Sequence, residues 1–555
     1  MPTEKYVSID ELPEHLITAL SKYVSSVDDD VFVLRNLPPE LKGGLLARYS
    51  RAPTGLRLTL VNEFLDENGE PIAAKGTELL ERVLVGFGDD SVGELEGAHV
   101  GLENVSQLFT KDIEDRRIGG SPIEQSTRYV KYDQKDSKGR WRYIRPVEII
   151  ESGLLEKFES VTDRAFEVYS EGIKRLSDYF KIQFPRDQFK ISVERNGSVV
   201  KLGEEDLNDN EKKAFGNAYN FTVRCAALDV GRCVLPSSTL TQIGLFGNGR
   251  FFTNIITFLK STELAESNKK GVELEQALRT EIPTFIRRNK IDPRIKEINS
   301  KMRNLSGRLF SGVVPDDNHV TLVPRSEYID EVVSSILFSY TNVSLQQILL
   351  EVTKMPLQNK LKIFDTYKGI RKERRDRTGR GLEAGYPIVF DLVGGFAEYR
   401  DLERHRMLTQ QRQRLSPDFR FIIPSEIIEV GLENAVVDIE GRMSDLYNDL
   451  RYAGLNEASQ YATLFNHKMR FMLGMNLREF QHLSELRTTP AGHFSYKEMV
   501  QEMTRQLKER EPWSERFYEF VDYSDSSNKI SRANEQSRIA GKSLQQRLDM
   551  SGDLD

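Results

Sequence analysis

The feature that most constrains the fold of this 555-residue chain is an internal repeat. An asparagine, an arginine two residues later and an amide or imidazole side chain four residues beyond it occur in both halves, each time followed by apolar residues at helical spacing. The two copies are Asn248, Arg250 and Asn254, and Asn476, Arg478 and His482. A single occurrence is typical of a solvated helix face, but the recurrence indicates a duplicated domain.

Composition excludes several classes of protein. With 39% hydrophobic and 29% charged residues the chain can bury a core, so it is not mainly disordered. A net charge of −7 gives no whole-chain argument for binding nucleic acid or a membrane surface. Two cysteines build neither a disulfide framework nor a four-thiolate zinc site, and we assign no metal. The low cysteine count predicts a reduced, cytoplasmic location, and the acidic start and the absence of an 18-residue apolar stretch predict a soluble protein.

The pattern along the chain predicts an α+β fold, a mixed sheet with helices in each of two tandem copies. An alternating apolar run from Ala98 to Ser106 predicts a strand, and Asn196-Gly197 predicts a hairpin turn. The predicted organisation is a helical extension at 1–55, a first copy at 56–275 with an insertion at 184–213, a second copy at 276–510, and a disordered tail at 523–555.

Two segments carry the residue types of a phosphate site and of an unusual imidazole. In the first half, glycines, hydroxyls and arginines surround a turn in which Ser126 and the forked guanidinium of Arg128 suit a bound anion, and a phosphate is the natural guest. In the second half, His405 lies between Arg404 and Arg406, whose charges disfavour its protonation.

These residues resemble the flavin-dependent thymidylate synthases, whose signature is Arg-His-Arg, seven residues, then Ser. The second half has Arg-His-Arg at residues 404–406 but Arg414 in the place of Ser. The first half has Arg116-Arg117-Ile118 at the first end of the signature and keeps the nucleotide-binding end, with Glu124, Gln125, Ser126 and Arg128.

The resemblance implies a role for each matched residue. Arg487 would help to ionise N3 of the uracil. The nucleotide would be bound by Arg404, Glu124, Gln125, Ser126, Arg128 and Arg232. The flavin would be bound by Arg404, His405, Arg406, Asn476, Arg478, His482, Asn248, Arg250 and Asn254. The chain departs from the family at Gln460 and Leu259, the counterparts of Arg232 and Arg487, and at Glu94-Leu95 and Glu383-Ala384, where the family has Glu-His.

The losses in the two halves are complementary. In the family, one subunit supplies Arg-His-Arg and the ionising arginine, and its neighbour supplies the nucleotide-binding end and the phosphate-gripping arginine. This chain resembles such a pair fused in tandem. We therefore expect one composite site per chain, and we expect the mirror site, formed by the equivalent positions that have lost these residues, to be inactive. The alternative is that both halves are decaying and that the retained residues serve packing.

The resemblance implies an FAD-dependent thymidylate synthase, a methyltransferase of nucleotide biosynthesis that converts dUMP to dTMP with methylene-tetrahydrofolate and NADPH and without a protein nucleophile. Because family members assemble from four domains, it also implies a homodimer of two-domain chains. One alternative is a catalytically inactive flavin- or nucleotide-binding paralogue with a structural or regulatory role. Another is a nucleic-acid-binding protein that uses the basic run at 368–381, but such a run is usually a solvated face.

Overall fold

The computed structural model describes residues 6–49, 52–82, 92–116, 118–195, 198–370, 379–419, 421–490 and 492–525. The elements of the N-terminal part are the helices α1 (Glu14–Tyr23), α2 (Pro39–Tyr49), α3 (Leu56–Thr59) and α4 (Ala73–Leu80), strand β1 (Gly97–Ser106), α5 (Gln107–Glu114), β2 (Gly120–Glu124), α6 (Val147–Glu151), α7 (Leu155–Gln183), β3 (Ile191–Arg195), β4 (Ser198–Leu202) and α8 (Asp209–Gly231).

The remaining elements are β5 (Leu240–Asn248), α9 (Gly249–Ser261), α10 (Ala265–Leu278), α11 (Pro283–Ile286), α12 (Pro293–Leu309), β6 (Val320–Leu322), α13 (Tyr328–Phe338), α14 (Leu345–Thr353), α15 (Leu357–Lys368), β7 (Ile388–Gly395), α16 (Phe396–Leu402), β8 (Thr409–Arg412), α17 (Ser425–Glu429), α18 (Glu433–Tyr452), β9 (Lys468–Met475), α19 (Leu477–Arg487) and α20 (Phe494–Arg510). The prediction of a mixed α+β fold is confirmed, as are the predicted strand, which is β1, and the β3–β4 hairpin.

Contacts divide the chain into two compact units that are each built from several segments. Unit 1 comprises 1–105, 112–124 and 242–296, and unit 2 comprises 106–111, 125–241 and 297–555. The units are thus defined by contacts, whereas the repeat is defined by sequence. The boundary between copies near residue 275 stays a prediction.

Unit 1 contains a three-stranded sheet with the order β1-β5-β2. Strands β2 and β5 are antiparallel, with Gly120 opposite Gly247 and Glu124 opposite Ile243. Helix α9 buries its apolar face, which includes Phe252. The helical N-terminal region of this unit has its own core around Leu20, Leu41, Leu45 and Phe64.

Unit 2 contains a four-stranded antiparallel sheet with the order β6-β7-β9-β8. The long helix α7 packs against α8 and α18. The buried guanidinium of Arg470 on β9 donates to the Asp391 carboxylate on β7 over 2.9 Å, so a charged pair crosses the centre of this sheet.

The two repeat motifs lie at equivalent strand-to-helix junctions. Asn248 ends β5 and caps α9, accepting a hydrogen bond from the Phe251 amide over 2.8 Å. Asn476 follows β9 and caps α19, accepting from the Glu479 amide over 3.0 Å. The recurring asparagine therefore starts a helix in both copies, since a side-chain oxygen there satisfies an otherwise unpaired helical N–H group.

Equivalent positions of the two copies also pair with each other inside unit 2. Pro236 and Leu464 stand twelve residues before Asn248 and Asn476 respectively, and they form an antiparallel bridge. The Ser237 amide donates to the Thr463 carbonyl over 2.8 Å, and the Phe465 amide donates to the Leu235 carbonyl over 2.9 Å. The copies are thus joined by main-chain hydrogen bonds between corresponding segments.

Some sequence predictions fall outside the described residues. They are Arg117, the turn residues Asn196 and Gly197, residues 371–378 of the basic run, and the tail from residue 526. Within the described part of the chain, no helix combines the length and the apolar character that crossing a membrane requires.

Candidate active site

The centre of the candidate site is a cluster of buried arginines and aspartates in unit 2, which we call the arginine cluster. It consists of the buried residues Arg128, Arg232, Arg400 and Asp401, together with Asp229, whose side chain is 10% exposed. Buried guanidinium groups are rare unless they are paired, because leaving water is costly for a charge. The cluster combines residues from both copies of the repeat, since 128, 229 and 232 belong to the first copy and 400 and 401 to the second.

Arg128 follows β2 closely and is fixed on two sides. Its Nε and Nη2 atoms donate to the two carboxylate oxygens of Asp229 on α8 over 2.9 and 3.2 Å, in the forked geometry that guanidinium and carboxylate groups favour. Its main-chain amide donates to the Ser126 hydroxyl over 3.2 Å. Burial lowers the pKa of Arg128, but Asp229, Tyr496 and Asp401 together outweigh burial and raise it, so Arg128 stays charged.

Arg232 stands at the C-terminal end of α8 and retains unused donors. Its Nη1 atom donates to the Thr127 hydroxyl over 3.3 Å, and Nη1 of Arg400 donates to the same oxygen over 3.2 Å. Nη2 of Arg232 lies 3.8 Å from Asp401 Oδ2, beyond hydrogen-bonding distance. Among the described residues, Nε and Nη2 of Arg232 have no hydrogen-bond partner, although the side chain is only 3% exposed. Two buried donors are therefore available to a ligand.

Asp401 is held as a carboxylate by the surrounding cations. Burial raises its pKa, but Arg128, Arg232, Arg404 and Arg487 outweigh burial and hold the pKa below the usual range. Guanidinium groups from both copies thus stabilise the charged form of this one carboxyl group.

His405 joins α16 to α19 through two hydrogen bonds. Its Nδ1 atom is 2.9 Å from Oε1 of Glu479, and Nε of Arg487 donates to its Nε2 atom over 2.9 Å. Burial lowers the pKa of His405, and the charge of Arg487 lowers it further, against the effect of Glu479. The lowered pKa agrees with the neutral imidazole that the sequence predicts. Burial and Arg487 lower this pKa, rather than the flanking Arg404 and Arg406.

An aromatic ring and a second histidine complete the surroundings of the arginine cluster. The guanidinium carbons of Arg128 and Arg487 each lie 5.9 Å from the centre of the Tyr496 ring. His493 is buried, and its Nε2 atom is 3.3 Å from the Asp229 carbonyl oxygen. Burial, reinforced by Arg232 and Arg128, holds the pKa of His493 well below its usual value, so this ring is neutral.

The predicted flavin residues of the second copy lie on the surface of unit 2. Arg404, Arg406, Asn476, Arg478 and His482 are exposed. In the described part of the chain, no carboxylate pairs with the three arginines, so their guanidinium groups are open to an anionic ligand.

The predicted residues of the first copy are divided between the units. Gln125 and Ser126 belong to unit 2, whereas Glu124 lies at the end of β2 in unit 1. Asn248, Arg250 and Asn254 also belong to unit 1, where Arg250 pairs with Glu94 and Asn254 is exposed on α9.

The mirror positions are occupied by internal contacts. Gln460, the counterpart of Arg232, accepts from the Leu415 amide over 3.2 Å and donates to Glu457 over 3.1 Å. Glu457 also pairs with Arg414, the residue in the place of the signature serine. In unit 1, Leu259 is fully buried. The contacts of Gln460 and Arg414 thus serve the fold.

Sequence reasoning missed four residues that contact predicted ones, namely Asp229, Asp401, Glu479 and Tyr496. It also missed Arg400 and His493, which contact Thr127 and Asp229. Asp229 stands three residues before Arg232, and Asp401 three residues before Arg404. In a helix, residues at this spacing lie on the same face, so each aspartate would lie beside a predicted arginine. That spacing was the available signal. No local pattern marks Tyr496 or His493, which reach the cluster only through the packing of α20.

A separate pocket lies in unit 2 beside the four-stranded sheet, with an empty volume of about 480 Å³ that includes open solvent at its mouth. Its walls are mainly apolar and include Val389, Leu345 and Met472, together with Glu383 and Ala384. Glu383 accepts a hydrogen bond from the Thr409 hydroxyl over 3.0 Å. The pocket contains no member of the arginine cluster.

Comparisons with known proteins support the duplication. The model of the family described as thymidylate synthase complementing protein (Thy1) matches residues 47–272 and 388–513, one segment in each half. A UPF0159 protein of Chlamydia pneumoniae is 35% identical over 544 residues, covering 94% of this chain and 96% of the relative. UPF0159 proteins of Chlamydia muridarum and Thermoplasma acidophilum are 32% and 29% identical, covering 94% and 87% of this chain and 97% and 96% of the relatives.

Proposed function

Because this chain belongs to the thymidylate synthase complementing protein family, we propose that it is an FAD-dependent thymidylate synthase with one composite site per chain. The reaction is the reductive methylation of dUMP to dTMP, with methylene-tetrahydrofolate and NADPH as co-substrates. The observation that carries the proposal is the convergence, inside one compact unit, of Arg128 and Arg232 from the first copy with His405 and Arg487 from the second.

The arginine cluster is suited to the nucleotide phosphate. Arg232 offers two buried donors without a hydrogen-bond partner among the described residues, and a phosphate oxygen can accept from both. Ser126 and Gln125 lie beside Arg128 in the chain and would complete this end of the nucleotide site, with Glu124 and Arg404 as the further residues that we assign to dUMP.

Arg487 is suited to activating the base. Methylation at C5 needs electron density at that carbon, and a guanidinium beside N3 favours the ionised, electron-rich uracil. Arg487 is half-buried, and its Nε atom is fixed by His405, so its terminal amino groups remain for the base. Arg487 is therefore the residue to which we assign the catalytic role.

The exposed guanidinium groups of the second copy fit the diphosphate of FAD. We assign Arg404, Arg406, Arg478, His482 and Asn476 to this cofactor, together with His405 and, from the first copy, Asn248, Arg250 and Asn254. When bound, the flavin supplies the hydride transfer, and the protein supplies orientation and charge.

No thiol is needed in this proposal, and the cysteines agree with it. Cys225 and Cys233 are both buried, and burial raises the pKa of each thiol to about 12. A thiol with such a pKa is a poor nucleophile at neutral pH, since the thiolate is the reactive form.

The decisive experiment is an assay for release of the C5 hydrogen from labelled dUMP in the presence of FAD, NADPH and methylene-tetrahydrofolate. We expect release that depends on all three, and a visible flavin spectrum for the purified protein. A colourless protein that takes up no added FAD would exclude the proposal.

A catalytically inactive, nucleotide-binding paralogue is the second candidate. It is favoured by the lack of a histidine at Leu95 and Ala384, and by the engagement of Arg250 with Glu94. Binding of dUMP without hydrogen release at any flavin concentration would support it. For either candidate we propose a cytoplasmic homodimer without a nucleic-acid or membrane partner.

A further inference from the structure

We infer that Glu479 and His405 are positioning residues for Arg487: Glu479 fixes the proton of the His405 ring on Nδ1, which leaves Nε2 as the acceptor that orients the Arg487 guanidinium. The role of the oriented guanidinium rests on the proposed function. The two hydrogen bonds that join Glu479, His405 and Arg487, which we call the relay, are a property of this chain.

The chemistry of the three groups allows only one arrangement of protons. An arginine has donors and no acceptor, so Nε of Arg487 donates in its 2.9 Å contact with His405 Nε2. His405 Nε2 must then present its lone pair, and a neutral ring carries its hydrogen on Nδ1. Nδ1 therefore donates to the Glu479 carboxylate at 2.9 Å. Without an acceptor at Nδ1, the ring could carry its hydrogen on Nε2 and would face the Arg487 donor with another donor.

The relay is rigid at one end and open at the other. The side chains of His405 and Glu479 are 2% and 8% exposed, and Glu479 is anchored near the start of α19, where its amide is capped by Asn476. Arg487 is the last residue of the same helix, and the relay uses its Nε atom. Among the described residues, its Nη atoms have no hydrogen-bond partner, so they remain for a ligand.

The other copy of the repeat lacks all three members. The positions that correspond to Glu479 and Arg487 hold Phe251 and Leu259, and the place of His405 is taken by Arg117. Helix α9 nevertheless forms with the same asparagine cap. The relay is therefore not required for the strand-to-helix fold, and it occurs only in the copy that keeps the arginine assigned to the base.

Protonation of His405 would break the relay, because Nε2 would become a donor. The charged and titratable groups that face the ring are Glu479, Arg487 and His482, all on α19, and Arg404 and Arg406 flank it in its own segment. Burial lowers the pKa of His405, Arg487 lowers it further, and Glu479 raises it. The relay is thus intact at neutral pH and is lost as the pH falls through the lowered pKa.

The tautomer can be measured without any activity. In ¹⁵N solid-state NMR of the full chain labelled at its histidine nitrogens, with His405→Gln for assignment, we expect a protonated Nδ1 and an unprotonated Nε2 for His405. A ring with its hydrogen on Nε2 would overturn the inference. This outcome is independent of the proposed function, which fails separately if the wild-type chain releases no hydrogen from dUMP.

Kinetics then test the effect on Arg487. For Glu479→Met we expect kcat/KM for dUMP to fall on the order of 100-fold, the loss that misplacement of a reacting group can cause. In the plot of kcat/KM against pH, the fall in activity on the acid side should move to lower pH. We call this fall the acid limb, and it should move because the carboxylate that raises the pKa of His405 is gone. Glu479→Gln should recover most of the activity, since its amide oxygen still accepts from Nδ1.

A matched control separates positioning from helix stability. Glu398 is the third residue of α16, as Glu479 is of α19, and it accepts from the Gly395 amide over 2.9 Å. Glu398→Met should lower the melting temperature without moving the acid limb. Wild-type activity in Glu479→Met would overturn the positioning role. Equal losses of kcat/KM in Glu479→Met and Glu479→Gln, with an unmoved acid limb, would also overturn it.

Discussion

At the scale of single residues, the buried charges of the arginine cluster are its most informative property. Arg232 is 3% exposed and still has two donors without a hydrogen-bond partner among the described residues. Such a group lowers stability, because a buried donor that loses its water costs about 1–3 kcal/mol. A fold that retains this cost at Arg232 but has Gln460 satisfied at the mirror position is consistent with a ligand at Arg232.

The two equivalent positions give a direct prediction. Arg232→Ala should weaken dUMP binding by about 1.5–3 kcal/mol, the contribution of a charge-assisted hydrogen bond. Gln460→Ala, at the mirror position, should leave the affinity little changed. Titration calorimetry measures both, with thermal melts to verify that each variant is folded. Similar losses in the two variants would show that the mirror positions are not distinct.

The raised pKa values of the two thiols give a prediction about cysteine reactivity. Because burial raises the pKa of both thiols to about 12, the native protein should react very slowly with a thiol reagent at pH 8 and rapidly after denaturation. Cys225→Ser and Cys233→Ser should retain hydrogen release from dUMP if they remain folded. Loss of turnover in a folded cysteine variant would argue for a covalent role.

At the scale of elements, the repeat encodes a strand that passes directly into a helix through an asparagine. The cap explains why asparagine recurs, since its side chain replaces the missing helical acceptor. The sequence predicted both the repeat and the helices that follow it. It did not reveal the capping role, because the same residue type also suits a ligand contact.

The two caps predict similar stability effects and different functional effects. Asn248→Ala and Asn476→Ala should each lower stability by about 0.5–2 kcal/mol, the usual value of an N-cap. Both variants lose a proposed flavin contact, but Asn476→Ala should reduce turnover more than Asn248→Ala, because α19 also carries Glu479 and Arg487. Chemical denaturation and the hydrogen-release assay measure the two effects. Equal turnover in the two variants would contradict the assignment of α19 to the site.

At the scale of the whole molecule, unit 2 unites residues that are far apart in the chain. Arg128 and Tyr496 are separated by 368 positions and approach to 3.5 Å. Such proximity is maintained within one chain by covalent linkage, which gives the two halves a high effective concentration for each other. The proposed site is therefore expected to form within a chain, even in a dimer.

Mixing two inactive variants tests this origin. Arg232→Ala and Arg487→Ala should each abolish turnover, and a mixture should stay inactive, because each chain would still lack one part of its own site. Recovery after mixing, or after co-refolding, would show that the site is built between chains. Light scattering on the wild type should show two chains per particle at micromolar concentration, and a monomer would contradict the proposed dimer.

The sequence by itself determined the duplication, the mixed α+β class and the sorting of retained and lost motif residues between the halves. These properties are local, because spacing, capping and residue type act over a few positions. Only the tertiary structure decided which groups surround them. Asp229 and Asp401 enter the arginine cluster, and Glu479 reaches His405 across 74 positions, because helices from distant segments pack together. Their burial sets the charges that the site can hold, and burial is a property of the packed unit rather than of any segment.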